Sequence, residues 1–222
     1  DLEDFNKAIE INEEAFNLVK DSKNDLGEFS LHMVFFNKIR YSMKKGNFDD
    51  ALKYAEKTLE YHIKNNSTVG QIYSLLEMGV LSYHAKNYDK AMEYIKQSFQ
   101  LATEREFDSP YYNFTRDIYT SLISKKRGGA INNKKILEIA NKYVENLGEL
   151  RNTKYDIEYL PYEALYDLYV LTDDKNYLKM SYNKIDEEAE VLSKSSKPEL
   201  KNEYLNRYFQ KMIIDEYNKI FK

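Results

Sequence analysis

No cysteine occurs among the 222 residues, which excludes disulfides and thiolate metal sites and leaves the redox compartment unread. Tryptophan is also missing. There are only 7 glycines and 3 prolines, against average usages of about 7% and 5%. Turns are therefore few, and material for glycine-rich nucleotide loops or sheet hairpins is scarce. No apolar run reaches the roughly 18 positions of a membrane helix, and the N-terminus lacks a charged-then-apolar signal pattern. The expectation is a chain that neither spans a membrane nor is exported, with the cytoplasm as its default location. Charge of one sign is missing too: 33 basic and 37 acidic side chains leave a net charge of −4. That field does not attract phosphate backbones, so direct nucleic-acid binding is disfavoured.

What is there points to helix. A hydrophobic share of 42% can supply a core, and 32% charged residues with long gaps between helix breakers suit amphipathic helices. The 21 tyrosines must do much of the aromatic packing that tryptophan does elsewhere.

A repeat is visible by inspection. Gly46-Asn47-Phe48-Asp49-Asp50-Ala51-Leu52-Lys53-Tyr54 aligns without gaps on Lys86-Asn87-Tyr88-Asp89-Lys90-Ala91-Met92-Glu93-Tyr94, a step of 40 residues that continues through Thr58 and Ser98. Each copy reads as a helix, a stop at Gly or Asn, a short polar turn, and a second helix with Ala on its stripe. The unit resembles the tetratricopeptide repeat, in which an aromatic at the turn is followed three positions later by a small residue. Gly79, Tyr88, Ala91 and Ser98 match that pattern. Ile39 departs from it, standing where the family has a small residue, and the 40-residue period exceeds the family's usual 34. Longer helices are implied.

Extended outward, the pattern predicts an all-α chain of about ten helices. The resemblance implies a right-handed superhelical solenoid of antiparallel hairpins, forming a single repeat domain over 1–222. A half-repeat occupies 1–22, with a stripe of Leu2, Phe5, Ile9, Phe16 and Val19. Hairpins follow at 28–65 (helices 28–45 and 48–65), 69–104 (69–85 and 88–104), 110–147 (110–126 and 132–147) and 153–194 (153–172 and 175–194). A capping helix closes the chain at 198–222. Ser109 is the expected N-cap before Pro110, and Lys125-Lys126-Arg127-Gly128-Gly129 the expected exposed loop. Pro161 should kink its helix or mark a later start. The stretch from Tyr162 to Leu205, with Lys197-Pro198-Glu199-Leu200 inside it, resembles the accessory tetratricopeptide regions of large bacterial signalling proteins. Together with the leading half-repeat, that resemblance implies a fragment of a longer chain.

Chemistry is hard to assemble from these residues. His32, His62 and His84 fall on three separate helices, none in a metal-ligand spacing, so a metal site would require the fold to converge them. Glu13-Glu14, Asp49-Asp50 and Glu187-Glu188 are adjacent pairs. Neighbours on a helix point about 100° apart and do not share a face, so these read as solvated surface. No nucleophile elbow, phosphate loop, dinucleotide fingerprint or kinase signature occurs. Asn65-Asn66-Ser67 and Asn113-Phe114-Thr115 match the glycosylation pattern by chance if the chain is not exported. The expectation is a non-enzyme with no cofactor and no metal.

In the family resembled, the first helix of each pair lines a concave face that holds a partner. Carried over, this face comprises Phe36, Asn37, Arg40 and Lys44, then Tyr73, Glu77, Val80 and His84, then Asn113, Arg116 and Thr120. Asn37, Arg40 and Lys44 sit three and four apart on one face. They resemble the positions from which some tetratricopeptide domains hold a peptide carboxylate, although Glu77 would oppose an acidic ligand. The expected function is a protein- or peptide-binding scaffold or regulatory module, the partner being another protein or a further domain of the parent chain. Two other readings stand beside it. One is a sensor resembling peptide-pheromone receptors, which requires an attached helix-turn-helix. The other is a hydrolase, which requires clustered His or carboxylate groups.

Overall fold

The computed structural model describes residues 5–21, 25–130, 132–145 and 161–222, and every regular element in them is an α-helix. Contacts divide the chain into two compact units, Asp1–Asp108 and Ser109–Lys222.

The first unit holds α1 (Phe5–Val19), α2 (Asp25–Lys44), α3 (Phe48–Lys64), α4 (Thr68–His84) and α5 (Tyr88–Glu104), each packed on the next. The last three are each 17 residues long, and the expected boundaries lie within a few residues of them. A left-handed residue ends each of the last four helices in turn: Gly46 (φ 77°), Asn66 (φ 52°), Lys86 (φ 62°) and Glu106 (φ 51°). The residue after each one donates its N–H five residues back, as in Asn47 to Ser42 O and Asn87 to Ser82 O, both 2.8 Å. This closure consumes the carbonyls orphaned at a helix end, and after α2, α3 and α4 the next helix begins within three residues. Only Gly46 adopts the conformation without steric cost.

Small residues let these helices approach. Ala51 and Ala55 of α3 and Ala91 of α5 are fully buried. At Gly79 a Cβ would stand 2.6 Å from Ile95 Cγ1 and 3.2 Å from the Ala91 carbonyl, so the glycine is required by the α4–α5 contact. Thr58 and Ser98, equivalent in the 40-residue step, are both buried but bond differently. Thr58 Oγ1 donates back within α3 to Tyr54 O at 3.0 Å, whereas Ser98 Oγ crosses to Ile72 O on α4 at 2.8 Å. Ile39, in place of the family's small residue, is fully buried.

In the second unit are α6 (Pro110–Lys126), α7 (Asn133–Glu145), α8 (Pro161–Thr172) and α9 (Lys175–Ser193), followed by α10 (Leu200–Leu205) and α11 (Tyr208–Phe221). Ser109 accepts from Tyr112 N at 3.5 Å with Pro110 in the first helical turn, as expected. The predicted segments 146–147 and 153–160 lie outside the described residues. The single capping helix predicted at 198–222 is instead two. Arg207 takes an extended conformation (φ −64°, ψ 152°) and is buried, its guanidinium 3.5 Å from Glu203 and over the Tyr204 ring at 5.5 Å. That break lets both short helices pack on α9.

The largest fully buried side chains among the described residues are tyrosines of this unit, Tyr112, Tyr119, Tyr162 and Tyr204. Their polar ends find partners: Gln210 Nε2 donates to Tyr162 Oη at 2.9 Å, and Tyr204 Oη donates to Glu188 at 2.6 Å. Burial raises both phenols well above their ordinary value. Lys125, first residue of the predicted loop, is half-buried. Its ammonium donates to Val170 O (2.7 Å) and Leu171 O (3.3 Å) at the end of α8 and pairs with Asp173 at 3.1 Å. A cation there complements the helix C-terminus.

Candidate partner-binding face

Phe36, Arg40 and Lys44 recur at the helical repeat of α2 and are half-buried, with Arg40 seated over the Phe36 ring at 5.6 Å. Asn37 turns to α1 instead. Its Nδ2 donates to Asn12 Oδ1 at 3.2 Å, and Asn12 in turn donates to Val34 O at 3.3 Å. One turn of α2 is thereby clasped to α1, and the adjacent Lys38 pairs with Glu13. Asn12 escaped the sequence reading because an isolated polar residue within an amphipathic stripe carries no local signal of its partner.

On α4 the predicted residues have different surroundings. Glu77 and Val80 are buried, at 7% and 9% exposure. Tyr73 meets Phe107 edge-on at 5.6 Å, and His84 stacks on Phe48 at 5.1 Å. Burial lifts the Glu77 carboxyl to about 7 despite the opposing pull of the Arg40 guanidinium. Arg40 of α2 is thus close enough for its charge to act on Glu77 of α4. His84 is driven down to about 3 by the same loss of hydration.

In the second unit, Asn113, Arg116 and Thr120 lie along α6 and are half-buried. Arg116 Nη2 pairs with its neighbour Asp117 at 2.8 Å, whose other oxygen receives Lys135 at 3.1 Å. The guanidinium also covers Tyr112 at 5.6 Å.

The fold converges two of the three histidines. His32 of α2 and His62 of α3 have ring centroids 4.8 Å apart, while His84 packs elsewhere. Among the described residues no three His, Asp or Glu side chains group as metal ligands, and no helix is long and apolar enough to cross a membrane. No protein-family model, curated protein or solved structure matches the chain.

Proposed function

We propose that this chain is a protein- or peptide-binding module, a scaffold or regulatory part of a larger signalling protein, that holds a partner segment along α2 of its first unit. The observation that carries the reading is the Phe36–Arg40–Lys44 row, in which a guanidinium lies over an aromatic ring on a helix that packs against both α1 and α3. Arginine and aromatic side chains dominate binding energy at protein interfaces, and a rigid support lowers the entropy lost on contact. A bound carboxylate would pair with Arg40 and Lys44. The 40-residue hairpin repeat supports the same reading, since stacked hairpins present side chains in register for an extended segment. Asn37, held by Asn12, contributes to the support.

Binding to an array of peptides with free and amidated C-termini tests this. Peptides selected by the wild type should lose about tenfold or more in affinity with Arg40→Ala, as loss of a charge-assisted contact predicts. Selected peptides whose affinity is unchanged in both Arg40→Ala and Lys44→Ala, or no selection at all, would remove the proposal.

A further inference from the structure

Four rings meet where α2, α3 and the start of α4 come together. The His32 ring stacks on Tyr61 at 4.5 Å, meets His62 edge-on at 4.8 Å, and lies 6.3 Å from Phe29. His62 in turn fills the place where a side chain on Gly70 would begin: a Cβ there would stand 2.2 Å from His62 Nδ1. The imidazole therefore rests on bare backbone in the first turn of α4. Both His32 Nδ1 and His62 Nδ1 are buried without a hydrogen-bond partner.

A neutral imidazole tolerates this, since one nitrogen carries no proton. An imidazolium does not. It carries N–H at both nitrogens, so the buried Nδ1 becomes a donor with nothing to receive it, and a second cation would face it ring to ring. The surroundings offer little relief. On α2, Glu28 is one turn before His32 but is held by Lys64 of α3 at 2.5 Å. On α3 the remaining aromatic neighbour is Tyr61, and the first turn of α4, Thr68-Val69-Gly70-Gln71, has no ionisable side chain. On α1, Glu13 is taken by Lys38.

We propose that His32 and His62 form a proton-sensitive latch, closing the α3–α4 turn onto α2 while both rings are neutral and releasing it when they are protonated. Burial lowers both groups, His32 to about 4 with His62 adding to the effect. The sign follows directly. A folded value below the unfolded one of about 6.5 means the unfolded chain binds more protons, so the latch's stabilisation is intact above 6.5 and is lost as pH falls from there towards 4. At pH 5 the closed state loses roughly tenfold to thirtyfold from His32 alone, the lower figure allowing for water at the exposed ring edge.

Amide hydrogen exchange on the full chain at pH 7.5 and 5.0, corrected for intrinsic rates, tests the latch. The expected result is a drop of about tenfold or more in protection over residues 61–71, larger than in α5, with α9 little changed. His32→Phe, which keeps a ring on Tyr61 but cannot titrate, should remove most of that drop. An equal drop in α5, or one unaltered in the variant, overturns the proposal. Should the variant fail to fold, ring-proton NMR of the wild type decides: a His32 midpoint below pH 6 supports the latch, and one at or above 6 refutes it.

Discussion

Replacing Gly79 with alanine places one methyl at the closest approach of α4 and α5. The new Cβ would lie 2.6 Å from Ile95 Cγ1 and 3.2 Å from Ala91 O, whereas apolar carbons prefer about 3.5–4.0 Å. The backbones must separate by roughly 1 Å, or Ile95 must leave its rotamer, at a cost of about 1–3 kcal/mol for overpacking. Against this, alanine in a helix interior is better than glycine by about 1 kcal/mol. Gly79→Ala should therefore destabilise by about 1 kcal/mol on balance. The sign is expected to reverse once Ile95 is truncated. Ile95→Ala alone should cost about 2–5 kcal/mol by opening a cavity, but with Cγ1 and Cδ1 gone the side-chain clash is lifted and, of the three nearest atoms, the alanine at 79 keeps only the Ala91 carbonyl at 3.2 Å. Its helix preference then dominates, giving a gain of about 1 kcal/mol in that background. The coupling across the cycle would be near 2 kcal/mol, well beyond the roughly 0.5 kcal/mol typical of independent sites. Urea unfolding followed by circular dichroism, with protection of α4 amides as a second probe, measures all four species. A Gly79→Ala effect of the same sign in both backgrounds would refute the packing argument.

The titration of Glu77 should be visible in stability. Its folded value of about 7 lies above the unfolded one, so the folded state keeps its proton longer and stability falls as pH rises from about 4.5 to 7. Glu77→Gln removes that cost, and a gain on the order of 2–3 kcal/mol at pH 8 that vanishes near pH 4 is expected from urea midpoints. A pH-independent difference between the two proteins would refute it. Lys86→Gly puts glycine at a left-handed position (φ 62°) that its repeat equivalent already occupies with Gly46. A gain of about 1 kcal/mol is expected, read as a raised Tm, and a lowered Tm would count against the assignment of strain there.

Periodicity carried most of the fold into view, because amphipathic stripes and the 40-residue repeat act locally. Phe48, Ala51, Tyr88 and Ala91 could be placed at helix starts from spacing alone, and Ser109-Pro110 announced the start of α6. What failed was where local signals are weak. Lys86 and Glu106 end helices in a conformation usually marked by glycine, and nothing local tells lysine to adopt it; the neighbouring helices impose it. The break at Arg207 was equally hidden, since Leu200, Tyr204, Tyr208 and Met212 keep a helical spacing through it. Only the burial of Arg207 beside Glu203 and Tyr204 separates α10 from α11.

For the candidate site the division is sharper. The chain by itself determined that Asn37, Arg40 and Lys44 share a side of one helix, because 3.6 residues per turn is a property of the backbone. Tertiary structure decided what two of them meet beyond that helix: Asn12 of α1 for Asn37, and the field of a buried Glu77 of α4 for Arg40. It also brought His32 and His62 together across a separation of 30 residues. Their contact depends on helices crossing with Gly70 bare beneath them, and a pairing set by packing between distant segments leaves no period in the sequence to read.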